Sequence, residues 1–178
     1  LWMWMRTEKL DPSNMFIYMC FFVNNQFRII VEGMDIGDLD LVFESNLLRI
    51  GKMLALLDTW DAPVYLTRIW TIFEQFTAAK LEIPVQMLLP DESYDTLGRK
   101  IDEGKNGIMA IQESFSKVDS ANAEAWLPAD AEKVKKAITD TVGFEHVNSS
   151  VQHALIHWVG QVVMEKMRDL LLPSLTRE

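Results

Sequence analysis

The sequence has a single cysteine, three histidines and no apolar run long enough to cross a bilayer. Cys20 alone can form neither an intrachain disulfide nor a thiolate metal cage. Its apolar neighbours mark it as an inert buried thiol, and a reducing, cytoplasmic setting is expected. The longest apolar run, Met15 to Val23, is half a membrane span and lies between Asp11-Pro12-Ser13-Asn14 and Asn24-Asn25-Gln26, so no membrane span is expected. No signal peptide is visible. Basic residues are also scarce, with 17 Lys and Arg against 26 Asp and Glu and a formal net charge of -9, which argues against nucleic acid as a partner because phosphate affinity needs clustered cations. Lys133, Lys135 and Lys136 are interleaved with Asp130, Glu132 and Asp140 and read as a solvated helix face. There is no glycine-rich phosphate loop, no G-x-S-x-G elbow and no Cys-His arrangement for nucleophilic catalysis. His153 and His157 stand one helical turn apart without a third nearby ligand other than Glu145, so neither a metal nor a cofactor is expected.

What remains is a chain of 178 residues, 49% of them hydrophobic, which suffices for one domain with a sizeable core. A single α/β domain over residues 1–178 is expected. Because the chain begins at Leu1, it is also expected to be a fragment of a longer protein. Leu1-Trp2-Met3-Trp4-Met5 reads as the end of a packed helix. The aromatic and β-branched run Met15 to Val23 has the pattern of a strand covered on both faces. Helical periodicity over Asp38 to Ile50 ends at Gly51, a C-cap residue, and Lys52 to Leu57 follows as a strand. Leu66 to Lys80 reads as a helix, Ile83 to Leu89 as a strand closed by Pro90, and Asp91 to Glu103 as a polar helix with an acidic start. Helices are expected over Gly107 to Phe115 and Pro128 to Val142, with Lys117-Val118-Asp119 a short edge strand between them. A long helix over residues 149–172 is capped by Ser149 or Ser150 and closed by Pro173. Strands alternating with helices predict a doubly wound, mostly parallel sheet.

In such sheets ligands bind at the carboxyl ends of the strands, which draws attention to the loops and helices that begin there. Glu74 falls at the margin of an apolar helical stripe, one turn from Trp70 and Ala78. It either lines a cleft, where desolvation raises its pKa, or is a boundary carboxylate that pairs with Arg68 or Lys80 or reaches water. Asn24, Asn25 and Gln26 can read a ligand's hydroxyls and carbonyls or simply hold a turn. Asp58, Trp60 and Asp61 follow the second strand. Trp60 can stack on a base or ribose or act as a half-buried lid over the core, and the two Asp residues are too few for a metal site.

Several segments together resemble the heterokaryon-incompatibility (HET) domains. Phe16-Ile17-Tyr18-Met19-Cys20-Phe21-Phe22-Val23-Asn24-Asn25-Gln26 is similar to that family's aromatic-rich strand running into Ile-Asn-Gln. Arg68-Ile69-Trp70-Thr71-Ile72-Phe73-Glu74 resembles its Arg-x-Trp-Thr-x-x-Glu, and is also similar to the Trp-Cys-Leu-x-Glu helix of TIR domains. Trp60-Asp61-Ala62-Pro63, Leu66-Thr67-Arg68, Val142-Gly143-Phe144 and Val147-Asn148 add a likeness to HET/TIR-like domains that precede tetratricopeptide or kinesin-light-chain-type repeats in protist and algal proteins. The resemblance covers roughly residues 15–160. It implies a flavodoxin-like α/β domain that acts in signalling, associates with protein partners or itself and, as in some TIR relatives, cleaves NAD as a substrate at the nicotinamide–ribose bond. Carried over, Glu74 would be the catalytic carboxylate and Trp70 a wall of the pocket, with Asn24, Asn25, Gln26, Trp60 and Asp58 as further ligand contacts. A non-catalytic assembly module within a larger protein is the competing expectation. Two features depart from the pattern: the family's first strand, with its Ser and His or Asp, has no counterpart in Leu1 to Leu10, and Thr71 stands where TIR domains carry Cys or a small residue.

Overall fold

A computed structural model of the chain describes residues 2–19 and 39–171. By its internal contacts the chain divides into residues 1–46 and 47–178, with the division inside a helix. In the first unit, helix α1 (Trp2–Thr7) buries Trp4 and Met5, as the apolar start of the sequence predicts. It closes through Lys9, whose φ of 54° turns the chain so that Leu10 N donates to Met5 O at 2.9 Å. Asp11 then caps a 3-10 turn at Pro12–Asn14, its carboxylate accepting from Ser13 N and Oγ and from Asn14 Nδ2. Those donors hold the Asp11 carboxyl below the usual carboxylate range.

The expected strand at Met15 to Val23 is corrected in its described part. Met15 to Met19 form no strand, and Phe16 is 97% exposed, so this segment is not covered on both faces. Residues 20–23, including Cys20, lie outside the described residues, as do Asn24, Asn25 and Gln26.

The second unit begins within helix α2 (Leu39–Ile50), which ends where expected: Gly51, at φ 73°, donates its N–H to Leu47 O at 2.8 Å. Strand β1 (Met53–Leu56) follows, then a loop, a 3-10 turn at Val64–Thr67, helix α3 (Ile69–Lys80) and strand β2 (Val85–Leu88). The two strands run parallel, with Met53 opposite Val85 and Leu56 opposite Leu88. Parallel strands cannot be joined by a tight hairpin, and the loop with α3 supplies the crossover. The molecule is thus mixed α/β and mostly helical, and its sheet among the described residues has two strands.

Four helices complete the unit: α4 (Asp91–Asp102), α5 (Lys105–Phe115), α6 (Pro128–Thr141) and α7 (Phe144–Leu171). Their boundaries follow local chemistry. Pro90 precedes α4, whose first turn carries Asp91 and Glu92 and whose last carries Arg99 and Lys100, each charge complementing the helix dipole. Pro128 occupies the first turn of α6, where its missing N–H costs nothing. Gly143, at φ 80°, ends α6 by donating to Ile138 O at 2.8 Å, and α7 starts at the next residue, five residues before the expected cap at Ser149. Val147, buried, and Phe144, partly buried against the same core, extend the apolar period of α7 backwards, so packing overrides the cap signal. The segment Lys117-Val118-Asp119 is a turn and not an edge strand, because the Asp119 carboxylate accepts from Ala121 N, Asn122 N and Asn122 Nδ2. Extended pairing occurs instead at Arg68 and Glu124, where Ile69 N donates to Glu124 O and Glu124 N to Thr67 O, both at 2.9 Å.

Helix α3 lies against α7, α6 and β2. Ile69, Ile72 and Phe76 from α3 meet Val147, Val151, Leu155 and Trp158 from α7 in one core, with Leu97, Phe115, Val134 and Ile138 from the other helices. Two polar devices fix the helix pairs. Lys166 of α7 donates to Gly98 O and to Asp102 Oδ1 of α4, both at 2.7 Å. At the α4–α5 corner a Cβ on Gly107 would stand 1.7 Å from Lys100 O, so only glycine fits.

Candidate functional site

The loop after β1 is held by side-chain bonds along its whole length. Asp58 Oδ1 accepts from Val64 N at 3.0 Å, and Asp58 O accepts from Ser93 Oγ at 2.9 Å. Trp60 is buried, and its Nε1 donates to Thr96 Oγ1 of α4 at 3.0 Å. Ser114 Oγ of α5 donates to Asp61 Oδ1 at 3.0 Å and accepts from Ala62 N at 3.1 Å. That bond holds Ala62 in the left-handed region, at φ 52°. Asp58 and Trp60 therefore have their polar atoms engaged within the fold, and Trp60 sits in the core as a lid on it.

Beyond the loop, Pro63 is fully buried and starts the 3-10 turn that delivers the chain to α3. The expected helix start at Leu66 falls inside this turn, and α3 proper begins at Ile69, after the pairing of Arg68 with Glu124. The turn folds Tyr65 back along the helix. Thr71 Oγ1 bonds Tyr65 O and also reaches Arg68 O at 2.9 Å, and the Tyr65 hydroxyl donates to Gln75 Oε1 at 3.3 Å. Gln75 is 1% exposed, and its Nε2 is buried without a hydrogen-bond partner. Trp70, half-buried, meets Phe73 edge-on with ring centroids 6.4 Å apart.

Glu74 projects from the middle of this arrangement. The residue keeps part of its surface, yet no hydrogen bond or ion pair reaches its carboxylate among the described residues, from Arg68, Lys80 or any other group. Burial pushes its carboxyl up to about 7. Tyr65 is perturbed in the same sense, first by its own burial and then by the nearby Glu74 charge, so the phenol stays protonated. A carboxyl poised near neutrality can give or take a proton with little driving-force penalty, and in its ionised form it stabilises an adjacent cation. Two of the sequence-derived candidates, Trp70 and Glu74, thus share one face of α3 a turn apart, while Asp58 and Trp60 serve the preceding loop. Tyr65, Thr71 and Gln75 were not foreseen. Gln75 lies in phase with Ile72 and Ala79 and could have been noticed as an amide inside an apolar stripe; Tyr65 gave no signal before the turn was seen.

Of the histidines, His146 stands edge-on to Phe76, and His157 shares a 3.1 Å hydrogen bond with Gln161. No group of three potential metal ligands converges among the described residues, and no described helix is long and apolar enough to cross a membrane. No family model, curated protein or solved structure matches the chain.

Proposed function

We propose that this chain is a HET/TIR-like signalling domain, built on a flavodoxin-like plan whose sheet is completed by strands outside β1 and β2, and that Glu74 is its reactive group. The observation that carries the reading is the unpartnered Glu74 carboxyl, raised to about 7 by burial, on a Trp-bearing helix reached from the carboxyl end of a parallel strand. Cleavage of NAD between nicotinamide and ribose expels a neutral nicotinamide and leaves positive charge on the ribose. The ionised carboxylate is the form that stabilises such a cation, as in glycoside hydrolysis, and Trp70 offers an aromatic wall beside it. Activity then rises with pH through the Glu74 titration.

The test incubates the chain with NAD and follows nicotinamide release. Release by the wild type that grows between about pH 6 and 8, and a drop of about 100-fold or more in Glu74→Gln, supports the catalytic role. Silence of both proteins while they are folded and assembled refutes it.

A second reading, a non-catalytic assembly module, has an observation of its own. Met164, Met167, Leu170 and Leu171 in the last two turns of α7 are 63%, 51%, 76% and 75% exposed, a cluster of apolar side chains suited to a protein partner or a second copy. Sedimentation over a range of concentrations discriminates: a strict monomer that captures no partner counts against it.

A further inference from the structure

Helix α7 carries two apolar stripes, and the core takes up one of them. Val147, Val151, Leu155, Trp158 and Val162 recur at three and four residues and are buried. The second stripe runs beside the first: Ile156, Gly160, Val163, Met167 and Leu170 follow one another at spacings of four, three, four and three, the repeat of a coiled-coil seam. Val163 is partly buried at the border of the core, whereas Ile156 is 47% exposed and Met167 and Leu170 more so, with Met164 and Leu171 open beside them.

Three observations point to what covers this seam. First, charge: no Asp, Glu, Lys or Arg falls on it, in a chain whose net charge is -9. Glu165 and Lys166 are held on another flank of the helix by α4, where the Tyr94 hydroxyl lies 3.5 Å from Glu165 Oε2 and Lys166 reaches Gly98 O and Asp102. Two copies of so acidic a chain repel at long range, and a face on which they meet has to be free of charge. Second, shape: Gly160 sits in the middle of the seam, and a Cβ there would meet nothing within 4 Å. The fold requires no glycine at this position, and a glycine inside a helix is less stable than an alanine. What it leaves is a hole. In a parallel pair of α7 helices Gly160 would face itself across a void. About a two-fold axis near residue 165 the pair is antiparallel, so Gly160 of each copy faces Leu170 of the other and Val163 faces Met167. The hole of the seam and its most exposed knob then match twice, by symmetry. Third, area: the exposed side chains of the stripe present on the order of 500 Å² per copy, so a symmetric pair buries about 1,000 Å², where specific interfaces begin.

We infer that α7 pairs antiparallel with α7 of a second copy of this chain, Gly160 of each seating Leu170 of the other. This pairing rests on the assembly reading above and stands whether or not Glu74 is reactive.

Sedimentation of the chain over about 1–500 μM is expected to show a monomer–dimer equilibrium in the micromolar range, the strength expected of an interface at the lower size limit. Met167→Glu, at an exposed position that leaves the core intact by circular dichroism, puts a carboxylate into the seam and weakens the dimer at least about tenfold. Register is read by disulfide trapping in a Cys20→Ser background. An equimolar mixture of Gly160→Cys and Leu170→Cys chains gives the mixed covalent dimer, and neither chain alone gives its own, because like residues stand about 15 Å apart along the helices. A chain that stays monomeric up to about 500 μM overturns the proposal and leaves the assembly reading to a different partner. A dimer that Met167→Glu does not weaken overturns it too, while the assembly reading stands, since the copies then meet elsewhere. Covalent dimers of Gly160→Cys alone, or none in a mixture that sediments as a dimer, overturn the antiparallel register.

Discussion

The loop after β1 and the helix it leads into handle their polar groups in opposite ways. Between Asp58 and Ala62 each named side chain has found a donor or acceptor: Asp58 with Val64 N, Trp60 with Thr96, Asp61 with Ser114. Farther along, in α3, Glu74 has no partner among the described residues and Gln75 leaves Nε2 unbonded in the core. Buried polar groups without partners destabilise a fold, so this arrangement persists against a stability gradient. The difference teaches where to look for chemistry. A carboxylate that holds structure, such as Asp119, is surrounded by donors and titrates low, whereas the Glu74 carboxyl accepts no hydrogen bond among the described residues and burial shifts it upward.

The largest effect that bears on this contrast is on the two tryptophans. Trp60→Ala removes a buried ring and its hydrogen bond to Thr96 Oγ1, which keeps its bond to Ser93 O, and is expected to cost about 3–5 kcal/mol in chemical denaturation. Trp70→Ala, at the half-buried wall beside Glu74, is expected to cost less than half as much; equal losses would mean that the two regions are the same kind of core.

Next in size is a pH effect. Burial in the fold raises the Glu74 carboxyl to about 7 from its ordinary value of 4.5, so the unfolded chain ionises first as pH rises. Stability is therefore full below about pH 4.5 and falls as pH rises to about 7, by at most about 3 kcal/mol and by less to the extent that solvent reaches the group. Glu74→Gln should flatten this part of the stability profile. An unchanged slope in the variant would place the titration elsewhere.

The smallest expected effect is the sharpest comparison of polar groups. Ser114→Ala leaves Ala62 N and the Asp61 carboxylate without their partner and should cost about 1–3 kcal/mol. Gln75→Leu combined with Tyr65→Phe removes an unsatisfied amide together with its one partner, and should be neutral or stabilising by up to about 1 kcal/mol. Paired thermal melts check both, and a large loss in the double variant would show that the amide is satisfied in solution.

The sequence made the second unit legible wherever single residues dictate backbone geometry. Gly51, Pro90 and Pro128 mark helix ends that the structure keeps, and the strands at Met53–Leu56 and Val85–Leu88 lie within the expected runs. Composition misled where exposure decides. The residues from Met15 to Met19 have strand chemistry, yet Phe16 is open to solvent and no strand forms there. The start of α7 departs from the expected one because Ser149 is a good cap in isolation, while Val147 buries and Phe144 packs against the core one turn earlier. At the site, helical phase located Glu74 and Trp70 on one face. It could not reveal the absence of a partner, which depends on where Arg68 and Lys80 are held by the rest of the fold. Nor could it place Tyr65, which reaches α3 only through the 3-10 turn.

The corner at Gly107 has a consequence away from its own position. Helix α5 runs two turns from that glycine to Ser114, and Ser114 is what grips Asp61 and Ala62. A contact with no tolerance at one end of a stiff rod acts as an alignment pin for whatever the other end holds. A single methyl group added at residue 107 would swing α5 and loosen a loop it never touches, so the shape of the approach to α3 is set at a distance by the smallest side chain in the unit.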